Sequence, residues 1–477
     1  MKTHLTILAV SLLAGCTLGP DYQRNTTDNP LPAQYQNADG TPARIDISAA
    51  PAQKWWNCFN DPAIEQLVAI ALQRNLDLAS ADATIRQARA QQNIADSAAQ
   101  PQLNANGRVG RDQFSKNSEN FANIPFPHPL TTFDDYRVGF DASWEIDLFG
   151  HNRRTVEAAQ AHLNGIEYQR QEVALRVAAE VTRNVIDYRG WQQRTVNAQQ
   201  TLADSRQMLE LITLQRKAGL MADADVNDEQ TAVHNAAASL PALQSAAQAS
   251  LMALTVLTNQ SPEQVRAALQ SGTVIPEAPF PAGAPGLPSD LLLRRPDLLR
   301  AERELAAATA EIGVAMADQY PRLNLLADGG LDSITPGKLT NQASRYWNIG
   351  PQLTVPLLSG GRLSAQVKAN EAARDAALAQ YRQAVLGAFA DTETALIRYQ
   401  RQQQQLEQIR LAFTTQQQQL KYATVHFESG DTNFLPVLQS RQQLAVIIDA
   451  QLIAQQNLAD DLTALYKALG GDVTRLP

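Results

Sequence analysis

The feature that most constrains this chain is that its sequence is written twice. The run 75-NLDLASADATIRQARAQQNIADSAAQPQL-103 matches 295-RPDLLRAERELAAATAEIGVAMADQYPRL-323 at an offset of 220, with Asp77 over Asp297, Pro101 over Pro321 and Leu103 over Leu323. Farther on, 180-EVTRNVIDY-188 matches 391-DTETALIRY-399, and Gly219 matches Gly430, both at an offset of 211. The register changes between Pro101 and Gly150, so the first copy carries a longer insert there. A repeat of this kind is one supersecondary unit built twice. Each copy, over residues 61–271 and 291–469, reads as long helix, strands, very long helix, Gly turn and long helix. The join, 272-GTVIPEAPFPAGAPGLPSD-290, is dense in Pro and Gly and reads as an irregular linker. Residues 470–477 form a short tail.

The helices after the strands are unusually long. No proline interrupts residues 151–218, a span of ~100 Å at 1.5 Å per residue, and residues 362–429 repeat that length. Ordinary globular helices average about 11–12 residues, so this length calls for coiled-coil packing. In the second copy Tyr399, Leu406, Phe413, Leu420 and Phe427 recur every seven residues, as a packing seam requires. That seam makes helix, rather than a disordered Gln-rich tract, the expectation for 402-QQQQLEQIRLAFTTQQQQL-420.

Between the helices lie strands with two contrasting faces. In 136-YRVGFDASWEIDLFG-150, Tyr136, Val138, Phe140, Ala142, Trp144, Ile146 and Leu148 alternate with Arg137, Gly139, Asp141, Ser143, Glu145 and Asp147. Side chains on a strand point to opposite faces with period two, so one face is apolar and the other acidic. The remaining strands alternate more weakly, and four are expected, at about 102–113, 135–148, 322–331 and 346–357, as two hairpins. The 136–149 alternation is longer than the ~9–11 residues that cross a bilayer at a tilt. Two hairpins cannot close a barrel, and an open sheet edge is not tolerated in lipid. Either the strands pack over a soluble core, or several chains pool them. Three chains would supply twelve strands, with Asp141, Glu145 and Asp147 lining water.

The chain has 477 residues and a formal charge of −8, which argues against nucleic acid as a partner. It holds no internal run of about 20 apolar residues, so a spanning helix is not expected. The start, MKTHLTILAVSLLAGC, has a basic residue, a short apolar core and small residues before Cys16, the pattern of a lipoprotein signal peptide over residues 1–15. Cys16 is the candidate for covalent lipid, and residues 16–60 follow as an extended N-terminal arm. An ordinary signal peptide with a coincidental Cys is the alternative. The other cysteine, Cys58, then has no partner within the chain; a buried small side chain is its default reading, a reactive thiol the alternative.

Taken together, 13-LAGC-16, 55-WW-56 with 61-DPAIEQLVAIALQRNLDL-78, 135-DYRVGFDASWEIDLFG-150, 295-RPDL-298 and 355-VPLLSGGR-362 resemble the TolC-like outer-membrane factors of bacterial tripartite efflux and secretion systems, in their NodT-type lipoprotein branch. The resemblance spans nearly the whole chain. It implies a mainly α fold with a membrane β-barrel portion: a homotrimer whose twelve-stranded barrel sits in the outer membrane, continuous with a periplasmic α-helical barrel. It implies a passive exit duct joined to a periplasmic adaptor protein and an inner-membrane pump, anchored to outer-membrane lipid, with no nucleic-acid partner and no cofactor beyond the lipid on Cys16.

The same resemblance places a gate at the helix-to-helix turns 215-QRKAGLMADADV-226 and 426-HFESGDTNFLPVL-438. Gly219, Leu220 and Gly430 are the implied adaptor-contact positions, the two glycines suiting a left-handed helix C-terminus. Leu435 matches an apolar constriction, and Gln439 stands where the family often has an Asp ring. Thr432 replaces the Arg that in some members pairs with the acid of the first turn, here Asp225, so that bridge cannot form. Asp431 is the nearest acid that three copies could turn into a cation-attracting ring, a solvated turn acid being the alternative. Asp223 and Asp225 also suit capping of the following helix.

Two rivals remain at this stage. An enzyme is disfavoured by scattered histidines and the absence of HExxH, CxxC, GxSxG or phosphate-loop patterns. A lipid-anchored periplasmic adaptor or structural coiled-coil protein would share the anchor and the long helices, but it would not need tandem hairpins of membrane length.

Overall fold

The computed structural model describes residues 17–24, 31–32, 54–115, 132–277 and 291–471. Cys16 and most of the arm, linker and tail lie outside the described residues. The elements run in the duplicated order: α1 (Pro62–Arg74), α2 (Leu76–Ala98), β1 (Gln102–Gln113), β2 (Thr132–Ile146), α3 (His151–Lys217), α4 (Asp223–Thr258) and α5 (Pro262–Leu269), then α6 (Pro296–Ala317), β3 (Arg322–Ser333), β4 (Arg345–Thr354), α7 (Arg362–Glu428) and α8 (Leu435–Ala468). A 3-10 turn, Trp55–Phe59, precedes α1, and a single helical turn, Leu291–Arg294, precedes α6. Both proline-free stretches form helices of 67 residues.

The chain divides into two units, each drawing segments from both copies. One is formed by residues 1–26, 86–165 and 302–380, the other by 27–85, 166–301 and 381–477. The first holds a four-stranded antiparallel sheet in the order β1-β2-β3-β4. The two hairpins are thus joined: β2 pairs with β3 over eleven residues, from Tyr136↔Ser333 to Ile146↔Leu323. Among the described residues, the outer edges of β1 and β4 have no strand partner.

The second unit holds the main core. Asp61 caps α1, its Oδ1 accepting from the N–H groups of Ala63 at 2.9 Å and Ile64 at 3.1 Å, and Pro62 starts the helix where no N–H is needed. Ala63, Ile64, Leu67, Val68 and Ala71 then fall on one face. They bury against Trp55, Trp56, Phe59, Val177, Val181 and Val185 of α3, Leu251 and Leu254 of α4, and Leu269 of α5. Each fully buried Val, Leu or Ile contributes about 1.5–3 kcal/mol, so the short N-terminal elements are welded to α3. Under them lies a buried ion pair: Arg189 of α3, 1% exposed, bonds Asp61 through one guanidinium nitrogen.

The seam read from the sequence fades along α7. Tyr399 and Leu406 are buried, Phe413 and Leu420 half-buried, and Phe427 is exposed beside Phe434 with ring centroids 5.0 Å apart. Helix α4 is, by length and composition alone, long and apolar enough to cross a membrane. Its hydropathy is carried mainly by leucines, and at its C-terminal end Leu251 and Leu254 are buried in the core with α1. Four of its residues, Ser250, Leu251, Leu254 and Thr258, are buried, and Pro241 lies inside it.

Candidate channel lining and gate

The register of the sheet sorts every strand side chain onto one of two faces. One face carries Leu103, Ala105, Gly107 and Val109 of β1, Tyr136, Val138, Phe140, Ala142, Trp144 and Ile146 of β2, Leu323, Leu325, Ala327 and Gly329 of β3, and Trp347, Ile349, Pro351 and Leu353 of β4. It is apolar across all four strands and largely exposed: Val109 is 80% exposed, Leu103 69% and Trp347 79%. A soluble domain rarely leaves such a contiguous patch uncovered.

The opposite face is polar and acidic. It carries the carboxylates Asp112, Asp135, Asp141, Glu145, Asp328 and Asp332 against the three guanidinium groups of Arg108, Arg137 and Arg322. Arg108 pairs with Asp112 at 2.7 Å and Asp135 at 3.5 Å. Arg137 lies over the Tyr346 ring at 4.4 Å and reaches Asp332 at 3.9 Å. Asp141 accepts from the side-chain amides of Asn104 at 3.1 Å and Asn106 at 2.6 Å, and stands directly opposite Asp328. Like charges directly opposite across strands repel, so this row favours a cation between them. Sequence reading singled out Asp141 and Glu145 but missed Asp328, because β3 alternates too weakly to mark its faces without a register.

Asp147 does not belong to that row. Strand β2 ends at Ile146, and the Asp147 carboxylate turns to the start of α3, where it accepts from the Arg153 N–H at 2.9 Å and lies 3.4 Å from the Arg153 Nε. An acid at a helix N-terminus satisfies free N–H groups and the helix dipole.

The two helix-to-helix turns share one backbone design. At the first, the Gly219 N–H donates to the Arg216 carbonyl and the Leu220 N–H to that of Gln215, both at 2.9 Å. At the second, Gly430 and Asp431 repeat this toward Phe427 and His426, both at 3.0 Å. This is the Schellman motif, and it places both glycines at C′ with φ of +78° and +81°.

Side chains then distinguish the turns. In the first, Arg216 is ion-paired with Asp223, and Asp225 accepts from the Ala222 N–H at 2.8 Å, capping α4. In the second, Asp431 accepts from His426 Nδ1 at 3.2 Å and from the Ser429 hydroxyl at 2.9 Å. These hydrogen bonds, His426 first, hold its carboxyl below the usual range. Leu220, Thr432 and Gln439 are exposed. Leu435 is half-buried against a small cluster of Met208, Ile212 and Leu438, joined by Leu211, Val226 and Phe434. Its apolar surface is spent on tying α3, α4 and α8 together within one chain.

Burial shifts several groups in the second unit, among them Asp460 and Cys58. Burial, with Asp187 alongside, pushes the Asp460 carboxyl up to about 8, so at neutral pH it holds a proton and is hydrogen-bonded to Asp187. Burial pushes the Cys58 thiol up to about 11, and it is hydrogen-bonded to Tyr466. Such a thiol is a poor nucleophile. Among the described residues, no group of three or more His, Cys, Asp or Glu is arranged to hold a metal ion.

Comparison with known proteins converges on one family. The sequence model of the family described as outer membrane efflux protein matches residues 67–260 and 287–471. The pyoverdine export outer membrane protein OpmQ of Pseudomonas aeruginosa is 30% identical over 99% of this chain and 97% of its own length. Nodulation protein T of Rhizobium leguminosarum bv. viciae is 29% identical over 96% of this chain and 91% of its own. Among solved structures, the outer-membrane channel OprN superposes with a TM-score of 0.83 at 30% identity, covering 96% of this chain and 99% of that one. The CmeC channel of Campylobacter jejuni shares the fold, with a TM-score of 0.85 at 20% identity over 96% of this chain and 95% of its own. The chain belongs to the outer membrane efflux protein family: it is a channel component of the Gram-negative outer membrane, and not an enzyme.

Proposed function

We propose that three copies of this chain form a passive duct through which small molecules, handed over by an inner-membrane pump and a periplasmic adaptor, leave the cell. The observation that carries this reading is the sheet: four strands with one continuous apolar face, one acidic face and two open edges. An open edge in lipid leaves N–H and C=O groups unsatisfied, so only closure is stable. The strands alternate in direction, so β4 of one copy meets β1 of the next as an antiparallel pair. Three copies close a twelve-stranded barrel with the apolar face toward lipid and the Asp141–Asp328 row toward water. The long helices extend into the periplasm, and the turns at Gly219, Leu220 and Gly430 meet the adaptor.

The closed state rests on the cluster around Met208, Ile212 and Leu438 that includes Leu435, in place of the Arg–Asp bridge that Thr432 precludes. Asp431 and Gln439 remain the candidate polar ring at that end. Lipid on Cys16 adds a second hold on the membrane; Thr17, the next residue, lies against Gly150 just after β2.

Cross-linking tests the closure. Within one sheet β1 and β4 lie three strand spacings apart, about 14 Å, beyond disulfide reach. Cysteines at Asn106 and Asn348 should therefore give dimer and trimer bands and no internal bridge. A monomer released from membranes by removing the lipid alone would return the chain to the adaptor reading.

A further inference from the structure

We propose that Arg154, Gly313 and Gly150 form a receptor for residues 17–21, fixing the segment that directly follows the lipidation candidate at the end of β2. Its membrane role rests on the lipoprotein reading of Cys16; the receptor itself stands on geometry.

Arg154 lies in the first turn of α3 and is 3% exposed. A buried guanidinium is costly unless its donors are met, and this one finds four acceptors. Its Nε donates to the Leu18 carbonyl at 3.0 Å, Nη2 to the Gly19 carbonyl at 3.3 Å and to Asp21 Oδ1 at 2.6 Å, and Nη1 to Glu157 Oε2 at 2.6 Å. Three of the four belong to the N-terminal segment. The Leu18 N–H donates to the Phe149 carbonyl at 3.2 Å, and the Tyr22 hydroxyl to the buried carboxylate of Glu302 at 2.8 Å.

Glycines clear the path. Gly19, at φ +89°, crosses helix α6 at Gly313 so closely that a Cβ would overlap the Gly313 Cα. A Cβ on Gly313 would come within 2.8 Å of the Leu18 carbonyl oxygen and of Arg154 Cγ. A Cβ on Gly150 would meet the Thr17 methyl at 2.9 Å.

The second copy shows that this is not a by-product of the repeat. At the offset of 211, Gly150 corresponds to Gly361, with matching φ of +86° and +84°, but Arg154 corresponds to Ala365. A Cβ on Gly361 would meet nothing within 4 Å, and the neighbouring Leu357 and Leu358 are 90% and 95% exposed. The same strand-to-helix junction is thus built twice and fitted with a receptor once. Its effect is to attach the lipid one residue from a fixed point rather than at the tip of a loose arm.

The test is amide exchange of residues 17–22 in the full-length protein extracted from membranes, with palmitate labelling run on the same variants. Arg154→Ala should speed exchange of Leu18 about tenfold, as expected for losing a charged hydrogen-bond partner, with labelling unchanged. Asp21→Ala leaves α3 intact and should act in the same direction, which keeps the test decisive if Arg154→Ala fails to fold. Unchanged exchange in Asp21→Ala, and in Arg154→Ala where it folds, overturns the receptor. Accelerated exchange in a protein that carries no palmitate would keep the receptor and remove the lipid reading.

Discussion

The two copies use one scaffold for different ends. Both give a helix of 22 or 23 residues, two paired strands, a helix of 67 residues, a Schellman turn and a helix of 34 or 36 residues. Backbone chemistry is duplicated almost atom for atom, whereas charged side chains are not. The first copy buries two cations, Arg189 against Asp61 and Arg154 against the N-terminal segment; the second places a desolvated acid, Asp460, beside Asp187 of the first. The lesson is that duplication preserves what the fold needs, helix length and turn geometry, and frees side chains to fasten whatever each copy must hold.

The largest effect should come from breaking the buried pair. Arg189→Ala leaves Asp61 buried without its partner and should cost about 3–5 kcal/mol in denaturant unfolding. Its counterpart at the offset of 211 is the half-buried Gln400, whose change to Ala should cost about 1 kcal/mol. Equal costs would break the comparison.

Next comes the buried acid. The Asp460 pKa is raised above its unfolded value near 3.8, so the folded state prefers the protonated form. The stability this gives is fully present below pH 3.8 and is lost as pH rises through about 8. Asp460→Asn mimics the neutral form, so it should match wild type at pH 4 and exceed it by about 2–4 °C in melting temperature at pH 9. A constant difference across that range would show that Asp460 is not the titrating group.

The turns should respond alike to backbone change. Gly219→Ala and Gly430→Ala each force a left-handed residue into open space, at a cost of about 1–2 kcal/mol, and hydrogen exchange should show the two turns loosening equally. They should part only in their side chains, and weakly. The Asp431 carboxyl is held low, so its contribution is present at neutral pH and lost as pH falls below about 4. Asp431→Asn should abolish that acid-dependent opening of the second turn and leave the first unchanged.

Much of this was legible in the sequence because it is periodic. The repeat, the proline-free helices, the C′ glycines and the alternating face of β2 are local patterns, and the strand bounds fell within a few residues of 102–113, 132–146, 322–333 and 345–354. What escaped depends on which element lands beside which. Asp328 joins Asp141 only through the β2–β3 register, Asp147 leaves the strand to cap α3, and Leu435 turns into an intrachain cluster. The arginine at 154 looked like one of many on a helix until the segment from Thr17 closed over it.

The most direct test of the account is planar-bilayer conductance of the purified protein, with oligomer mass measured on the same sample. The account predicts a trimer forming a cation-preferring channel, whose preference falls in Asp141→Asn with Asp328→Asn and whose openings become more frequent in Leu435→Ala. A trimer whose selectivity ignores both acids would contradict the assigned lining, and a monomer without conductance would contradict the barrel itself.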